Sequence, residues 1–232
     1  MLKYNVIICE SMPIGIQKEG NMLKVERISV MNMENAIRGA RNPMNSWTKM
    51  DSYYDENGAF VLGENDLSLA HRLAVAGSDH RKYLRQIIVS MDITAPFYWW
   101  KEFDTYKVGT VANSCSTMHK IHANPITRED FSCDRMTDEA LACLDSLIAF
   151  LEGERVKYNE TKDKAAWHNI IQLLPTSYNQ MRTVTLNYEV LINIYYARRH
   201  HKLAEWHVLC EAIENLPYAK ELILIKENQN EG

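Results

Sequence analysis

The chain has 232 residues, of which 46% are hydrophobic and 24% are charged, and its formal net charge is −4. This composition is typical of a globular protein, and the length predicts one domain over residues 1–232 with a buried core. The slight negative charge gives no electrostatic basis for binding a long nucleic acid, although a small anionic ligand needs only a local basic pocket.

The cysteines and the amino terminus bear on where the protein functions. There are five cysteines, an odd number without Cys-x-x-Cys spacing, which predicts reduced thiols and a cytoplasmic location. The opening residues MLKYNVIICE contain too short an apolar run for a signal peptide. No stretch reaches the roughly 18 apolar residues of a membrane span, so we expect no membrane segment.

The first third of the chain predicts both strands and helices. In order, the pattern indicates strands at 3–9 and 22–30, a short helix at 31–40, an irregular segment at 42–63 with a turn at Asn57–Gly58, and a second helix. Asn65 or Asp66 is expected to cap that second helix, and Gly77 to end it.

The middle of the chain predicts a strand, then a helix, then a long segment without periodicity. An apolar, β-branched run at 86–93 predicts a buried strand, and residues 95–103 predict an amphipathic helix with Pro96 near its first turn. Residues 104–136 show no sustained periodicity. A connection of that length in a compact domain usually serves a function or contains short elements of its own.

The last hundred residues read as helical. Thr137 predicts an N-cap for a helix that Gly153 closes. Further helices are predicted at 162–174, 181–198 and 202–215, with a short one after Pro217. The helix at 181–198 has almost no polar face, which predicts a central position in the fold.

Several side chains have both a chemical and a structural interpretation. The cluster His80, Arg81, Lys82 and Arg85 could line an anion pocket or form a solvated charged face. Cys115 could be a nucleophile or a small residue in a tight turn. The histidines do not predict a metal site, because no carboxylate or cysteine joins them at suitable spacing.

A group of aromatic side chains and a pair of arginines also have two interpretations each. Tyr98, Trp99 and Trp100 could stack on a planar ligand or belong to the core. Arg198 and Arg199, at the end of a predicted helix, could contact a phosphate or simply complement the helix dipole. Asn187 and Asn193 on the same helix would each need a hydrogen-bonding partner if buried.

Two blocks of the sequence share a pattern with a known family. In the first block, His80 precedes the segment APFYWWKEF at 95–103. The second block carries Leu174-Pro175, Tyr178, Asn187, Asn193, Arg198 and Ala204-Glu205-Trp206-His207-Val208. Both blocks resemble the flavin-dependent thymidylate synthases.

The resemblance is incomplete in the family's signature, Arg-His-Arg-x-x-Ser-x-Asn-Glu-x-Ser-x-Arg-Tyr. Its Arg-His-Arg falls on Thr105-Tyr106-Lys107, and its two serines fall on Thr110 and Cys115. The arginines that contact the substrate phosphate in the family are thus lost or replaced. This departure favours, as an alternative, a catalytically degenerate relative that binds a nucleotide or flavin in a regulatory or sequestering role.

The resemblance implies an α+β fold, in which a small, mostly antiparallel sheet from the amino-terminal half packs against a largely helical remainder. It implies reductive methylation of dUMP or a related pyrimidine nucleotide, with FAD as cofactor and NADPH and methylenetetrahydrofolate as co-substrates. It also implies a homotetramer with its sites between subunits. The only partners expected beyond other copies of the chain are small-molecule nucleotides.

The resemblance also assigns site residues. The cofactor-binding set consists of His80, Lys107, Asn187 and Asn193. The substrate-binding set consists of Arg198, Arg199, Glu102 and Thr105, and the residues expected to face the reacting base, as the catalytic set, are Cys115 and Thr110.

Overall fold

The computed structural model describes residues 23–225 and has a four-stranded antiparallel sheet at its centre. The strand order is β1-β4-β6-β5, formed by β1 (Lys24–Met31), β4 (Ile88–Pro96), β5 (Val111–Ser114) and β6 (Asn179–Asn187). Strands β2 (Tyr53–Tyr54) and β3 (Phe60–Val61) form a separate hairpin whose turn contains Gly58 at φ 81°, as predicted. The predicted strand at 22–30 is confirmed as β1, whereas the one at 3–9 lies outside the described residues.

Helices surround this sheet. They are α1 (Met33–Ala40), α2 (Glu64–Val75), α3 (Phe97–Phe103), α4 (Thr117–Lys120), α5 (Asp138–Thr161), α6 (Lys164–Leu173), α7 (Tyr188–Arg198), α8 (Glu205–Glu214) and α9 (Ala219–Leu222). The predicted combination of helices with a small antiparallel sheet is confirmed. Within residues 23–225, no helix has the length and apolar character needed to cross a bilayer.

The prediction of one helix over 181–198 is wrong. Residues 179–187 form strand β6, which pairs with β4 on one side and β5 on the other, and helix α7 begins only at Tyr188. Thr183, Val184 and Thr185 are β-branched, a type that packs well in strands. The sheet is therefore not confined to the amino-terminal half, because a carboxyl-terminal strand lies inside it.

Three helix boundaries also differ from the predictions. Strand β4 continues through Pro96, so α3 starts at Phe97 and not at Ala95. Gly153 does not close α5, which runs on to Thr161. Helix α2 begins at Glu64, before both predicted caps, although Gly77 follows its end at φ 107° as expected.

The amino-terminal end of α2 is held from outside the helix. Both carboxylate oxygens of Asp51 accept backbone hydrogen bonds, from Asn65 N at 2.8 Å and Asp66 N at 3.0 Å. Gly63 precedes the helix, and a Cβ there would lie 2.2 Å from Asp51 Cγ. Only glycine therefore allows this approach.

Asp66 connects the same end of α2 to helix α1. Its side chain is 0% exposed, and its Oδ1 accepts a hydrogen bond from Arg41 Nε at 2.6 Å. The other oxygen, Oδ2, accepts bonds from Asp51 N, Ser52 N and Ser52 Oγ. A buried carboxylate with this many donors ties three segments together.

The main core lies between the sheet and the helices around it. Trp99 and Trp100 are 0% and 1% exposed and contact Phe103 and Trp206, which confirms the core alternative for the paired tryptophans. A second, smaller cluster lies along α5 and α6 and includes Leu144, Leu151 and Ile170. The main cluster is the one that supports α7.

Candidate functional site

Helix α7 organises the predicted site, because the segment 104–110 contacts both of its ends. Tyr106 Oη accepts a hydrogen bond from Arg198 at the last turn. Gly109 packs on Asn187, the residue before the first turn. With 11 residues and a rise of about 1.5 Å each, the backbones of the two ends lie roughly 16 Å apart. The site therefore has two separate contact regions.

At the amino-terminal end, Asn187 caps the helix. Its Oδ1 accepts a hydrogen bond from Val190 N at 3.1 Å, and its Nδ2 faces Gly109. Gly109 has φ 75°, and a Cβ there would meet Nδ2 at 3.0 Å and Val190 Cγ2 at 3.1 Å. A residue with a side chain would therefore be strained and crowded at position 109.

The neighbouring Thr110 has an unsatisfied hydroxyl. Its Oγ1 is buried and has no hydrogen-bond partner among residues 23–225. A buried polar atom without a partner is unfavourable by about 1–3 kcal/mol, and such atoms are uncommon enough to need an explanation. A ligand group at this end of α7 would supply the missing bond.

His80 is brought to the same end by its neighbour. Arg81 Nε donates to Glu189 of the first turn of α7, at 2.9 and 3.2 Å from the two carboxylate oxygens. Both side chains are nearly buried, with 12% and 11% exposure. Arg81 is thus neutralised within the protein, whereas His80 and Lys82 are exposed.

At the carboxyl-terminal end, Arg198 is held by acidic and aromatic groups. Its Nη1 donates to Glu102 Oε2 at 2.8 Å and its Nε donates to Tyr106 Oη at 2.9 Å. The guanidinium also lies over the Trp206 ring, 4.6 Å from the centroid. Glu102 Oε2 further accepts a bond from Trp206 Nε1 at 3.0 Å, with His201 Nε2 3.4 Å away.

This arrangement fixes the guanidinium and partly neutralises it. The Arg198 side chain is 18% exposed and that of Glu102 is 31% exposed, so the pair borders solvent. A phosphate approaching Arg198 would meet the Glu102 carboxylate at the same time. Nucleotide binding through Arg198 must therefore compete with an internal ion pair.

Edge strand β5 carries the second half of the signature segment. All four of its residues are exposed, and Cys115, directly after it, is exposed as well. Cys115 continues the pairing with β6, because its N donates to Met181 O at 3.0 Å and its carbonyl accepts from Gln180 Nε2 at 2.8 Å. Cys115 therefore extends the sheet and is not in a tight turn.

The remaining predicted residues are Asn193, Thr105, Arg199 and Lys107. Asn193 is six residues from Asn187 and thus about 240° away around the helix, and it is exposed. Thr105 Oγ1 donates to the Glu102 carbonyl at the end of α3. Arg199 lies over the Tyr196 ring at 5.0 Å, and Lys107 is exposed.

Sequence reasoning missed two contributors. The first is Tyr106, which stands at the position of the signature histidine and whose hydroxyl accepts a hydrogen bond from Arg198. Arg182 donates to Asp104 Oδ1 at 2.8 Å and stacks on Trp100 at 4.2 Å. Assigning residues 179–187 to a strand would have identified Arg182, because its partner in the sheet is Ser114 of the signature segment.

Two cavities lie away from α7. One, of about 400 Å³, is lined by Tyr98, Glu205 and the segments 132–136 and 175–177. Tyr98 donates a short hydrogen bond to the buried Glu205, and burial together with this carboxylate raises the Tyr98 pKa. The second cavity, of about 480 Å³, lies beside α2. Within the described residues, no group of three His, Cys, Asp or Glu side chains could hold a metal ion.

Comparison with known proteins gives a likeness in fold only. No protein-family model and no curated protein sequence matches the chain. Among solved structures, the chain resembles flavin-dependent thymidylate synthase ThyX from Helicobacter pylori complexed with FAD and dUMP, with a TM-score of 0.61 and 18% identity over 85% of this chain and 95% of that one. A second structure of that synthase with FAD and dUMP gives the same score and identity over 84% and 94%. The chain therefore has a fold like that of flavin-dependent thymidylate synthase.

Proposed function

We propose that this chain is an FAD-dependent thymidylate synthase-like protein that reductively methylates dUMP or a related pyrimidine nucleotide. The observation that carries the proposal is the similarity in fold, over nearly the whole length, to two structures containing FAD and dUMP. The predicted cofactor residues His80 and Asn187 lie toward one end of α7, and the predicted nucleotide residue Arg198 lies at the other.

The residues at the amino-terminal end of α7 fit a flavin. A flavin ring carries carbonyl acceptors and an N–H donor on one edge. Thr110 Oγ1 is a buried hydroxyl without a hydrogen-bond partner among residues 23–225. Asn187 is 9% exposed, and its Nδ2 lies beside Gly109, the residue before Thr110. We assign His80, Lys107 and Asn187 to FAD and leave out Asn193, which lies on another side of α7.

The chain's own contribution is binding and orientation. When bound, FAD supplies hydride transfer, with NADPH as its reductant and methylenetetrahydrofolate as the carbon donor. Arg198 and Arg199 provide the cations for the nucleotide phosphate, with Glu102 and Thr105 beside them. Thr110, at the flavin end of α7, and Cys115 face the base, which in this proposal lies between the phosphate contact and the flavin. Positioning of this kind requires no protein nucleophile.

The proposed assembly is a homotetramer. Support comes from the exposed strand β5 and from two large apolar side chains, Val111 in this strand and Val108 just before it, which are 71% and 90% exposed. An unprotected strand edge with apolar side chains is favourable for contact with another chain.

A second candidate function is binding of a flavin or nucleotide without turnover. It is favoured by the ion pair between Arg198 and Glu102, which occupies the predicted phosphate contact. It is also favoured by Thr105 and Tyr106, which stand where the family signature has arginine and histidine.

The visible spectrum of the purified chain tests both candidates. A yellow protein that bleaches with NADPH and forms a methylated nucleotide from dUMP and methylenetetrahydrofolate supports the enzyme. Flavin absorbance without product supports binding alone. A colourless protein that takes up no added FAD would refute the enzyme and any flavin binding, and absence of dUMP binding by calorimetry as well would refute the second candidate.

His80→Ala tests the flavin assignment directly. We expect a lower molar ratio of FAD to protein, because the exposed ring beside Arg81 is removed from the flavin-binding end of α7. His168→Ala on α6 is the matched control and should retain the wild-type ratio. Equal FAD content in both variants would remove His80 from the site.

A further inference from the structure

The cavity beside α2 has the size of a small-molecule site. Its volume is about 480 Å³, within the range of roughly 300–1,000 Å³ that is usual for such sites. One wall is a single face of α2, with Asn65, Leu69 and Arg72 at helical spacing. The opposite wall is the pair of tight turns that follow α1, and the residues there are Arg41, Met44, Ser46 and Lys49.

The lining of this cavity is cationic. It contains Arg41, Lys49 and Arg72, and no carboxylate lines it. Two acidic groups close to the lining in sequence have other partners, because Asp66 binds Arg41 and Ser52, and Asp51 binds the backbone of α2. Among residues 23–225, neither Lys49 nor Arg72 forms an ion pair, so both bring positive charge to the cavity.

Arg41 is the rigid part of the lining. The residue is 4% exposed, its Nε donates to Asp66 Oδ1 at 2.6 Å, and its Nη1 reaches the Ser46 carbonyl at 3.4 Å. A guanidinium has five N–H donors, and no acceptor for Nη2 is found among residues 23–225. The buried guanidinium thus offers donors to a ligand, with its orientation set by Asp66.

We propose that this cavity binds a small organic phosphate, with the phosphate group between Arg41, Lys49 and Arg72. A phosphate monoester carries close to two negative charges at neutral pH, and guanidinium groups match its oxygens in pairs. Met44 and Leu69 line another part of the cavity. An uncharged organic portion of the ligand packs against these two side chains, which favours a phosphate ester over the inorganic ion.

Calorimetric titration of the full chain with phenyl phosphate tests this assignment. Phenol serves as the uncharged comparison and should give no saturable signal. Lys49→Gln and Arg72→Gln change exposed side chains, so the fold should be retained, and thermal unfolding checks that it is. Each variant should bind phenyl phosphate at least about tenfold more weakly, since each removes one charge-assisted contact.

Two further variants separate this cavity from other sites. Lys164→Gln on α6 removes an exposed charge elsewhere and should bind phenyl phosphate like the wild type. Arg198→Gln should also leave the affinity unchanged, whatever the protein does with FAD or dUMP. Absence of saturable binding at millimolar phenyl phosphate would overturn the assignment. If Arg198→Gln lost phenyl phosphate binding while Arg72→Gln kept it, the ligand would bind at α7. That result would also overturn the assignment to the cavity beside α2.

Discussion

Asp66→Asn is expected to destabilise the protein strongly. The carboxylate is completely buried and faces four donors: Arg41 Nε at 2.6 Å, Ser52 Oγ at 2.6 Å, Ser52 N at 2.9 Å and Asp51 N at 3.1 Å. Asparagine has one acceptor oxygen, and its NH2 group would face donors on the other side. The substitution also leaves the buried Arg41 without its negative partner.

The magnitude follows from the buried ion pair. Removing one partner of such a pair costs about 3–5 kcal/mol, because the other charge stays buried and uncompensated. Arg41 lines the cavity beside α2, where water can reach part of the guanidinium. We therefore expect a loss of about 3 kcal/mol in the free energy of unfolding, a large fraction of the roughly 5–15 kcal/mol typical of a folded protein.

Urea unfolding followed by tryptophan fluorescence measures this loss, since the chain has five tryptophans. The midpoint should fall while the slope of the transition stays the same. Asp79→Asn is the matched control, because Asp79 is exposed, and it should change the free energy by less than about 0.5 kcal/mol. A loss below about 1 kcal/mol in Asp66→Asn would refute the role of this pair.

The same variant should change how stability depends on pH. Burial raises the Asp66 pKa, but hydrogen bonds from Ser52, Arg41 and Asp51 outweigh it and hold the pKa below its ordinary value of 3.8. A carboxyl group with a lowered pKa stabilises the folded state above the unfolded-state pKa, and that contribution is lost as the pH falls through the folded-state pKa. The difference between wild type and variant should therefore be constant near neutral pH and shrink below about pH 4. A difference that grows on acidification would contradict this.

Two more substitutions test the predicted nucleotide site and the start of helix α2. Glu102→Gln keeps an acceptor for Trp206 but removes the negative charge beside Arg198. The variant should bind dUMP about tenfold more tightly, because one charge-assisted contact of Arg198 is freed for the phosphate. Unchanged or weaker dUMP binding by calorimetry would show that Arg198 does not contact the phosphate. Gly63→Ala should lower the free energy of unfolding by about 1–3 kcal/mol, since its Cβ would lie 2.2 Å from Asp51 Cγ. Gly153→Ala, on a helical glycine with open space around it, is the control, and equal urea midpoints for the two would refute the clash.

Local chemistry made several features predictable from the sequence. Thr137 caps α5, accepting a hydrogen bond from Ala140 N at 3.3 Å, because an N-cap depends only on residues a few positions away. The turns at Gly58 and Gly77 both have positive φ, a backbone conformation that glycine adopts without strain. In each of these cases the determining contacts lie within one or two turns of the chain.

Other features of the fold and of the site depend on contacts between residues far apart in the chain. Residues 181–187 run directly into the apolar sequence of α7, which favours one continuous helix over 181–198. Their pairing with β4 and β5, far away in the chain, makes them part of a strand instead. Asn187 consequently became a helix cap and not a residue inside a helix. The partnership of Glu102 with Arg198 likewise joins positions 96 residues apart.

The candidate site shows the same division. Its residue types, a histidine, asparagines, arginines and small polar side chains, are visible in the sequence. Whether they are available to a ligand is not visible there, because only the tertiary structure brings Glu189 to Arg81 and Glu102 to Arg198. The first carboxylate neutralises its arginine, and the second does so in part. The sequence by itself therefore determined one helix cap, the glycine turns and the candidate residues, and the packing of β6 and α7 determined which of those residues a ligand can reach.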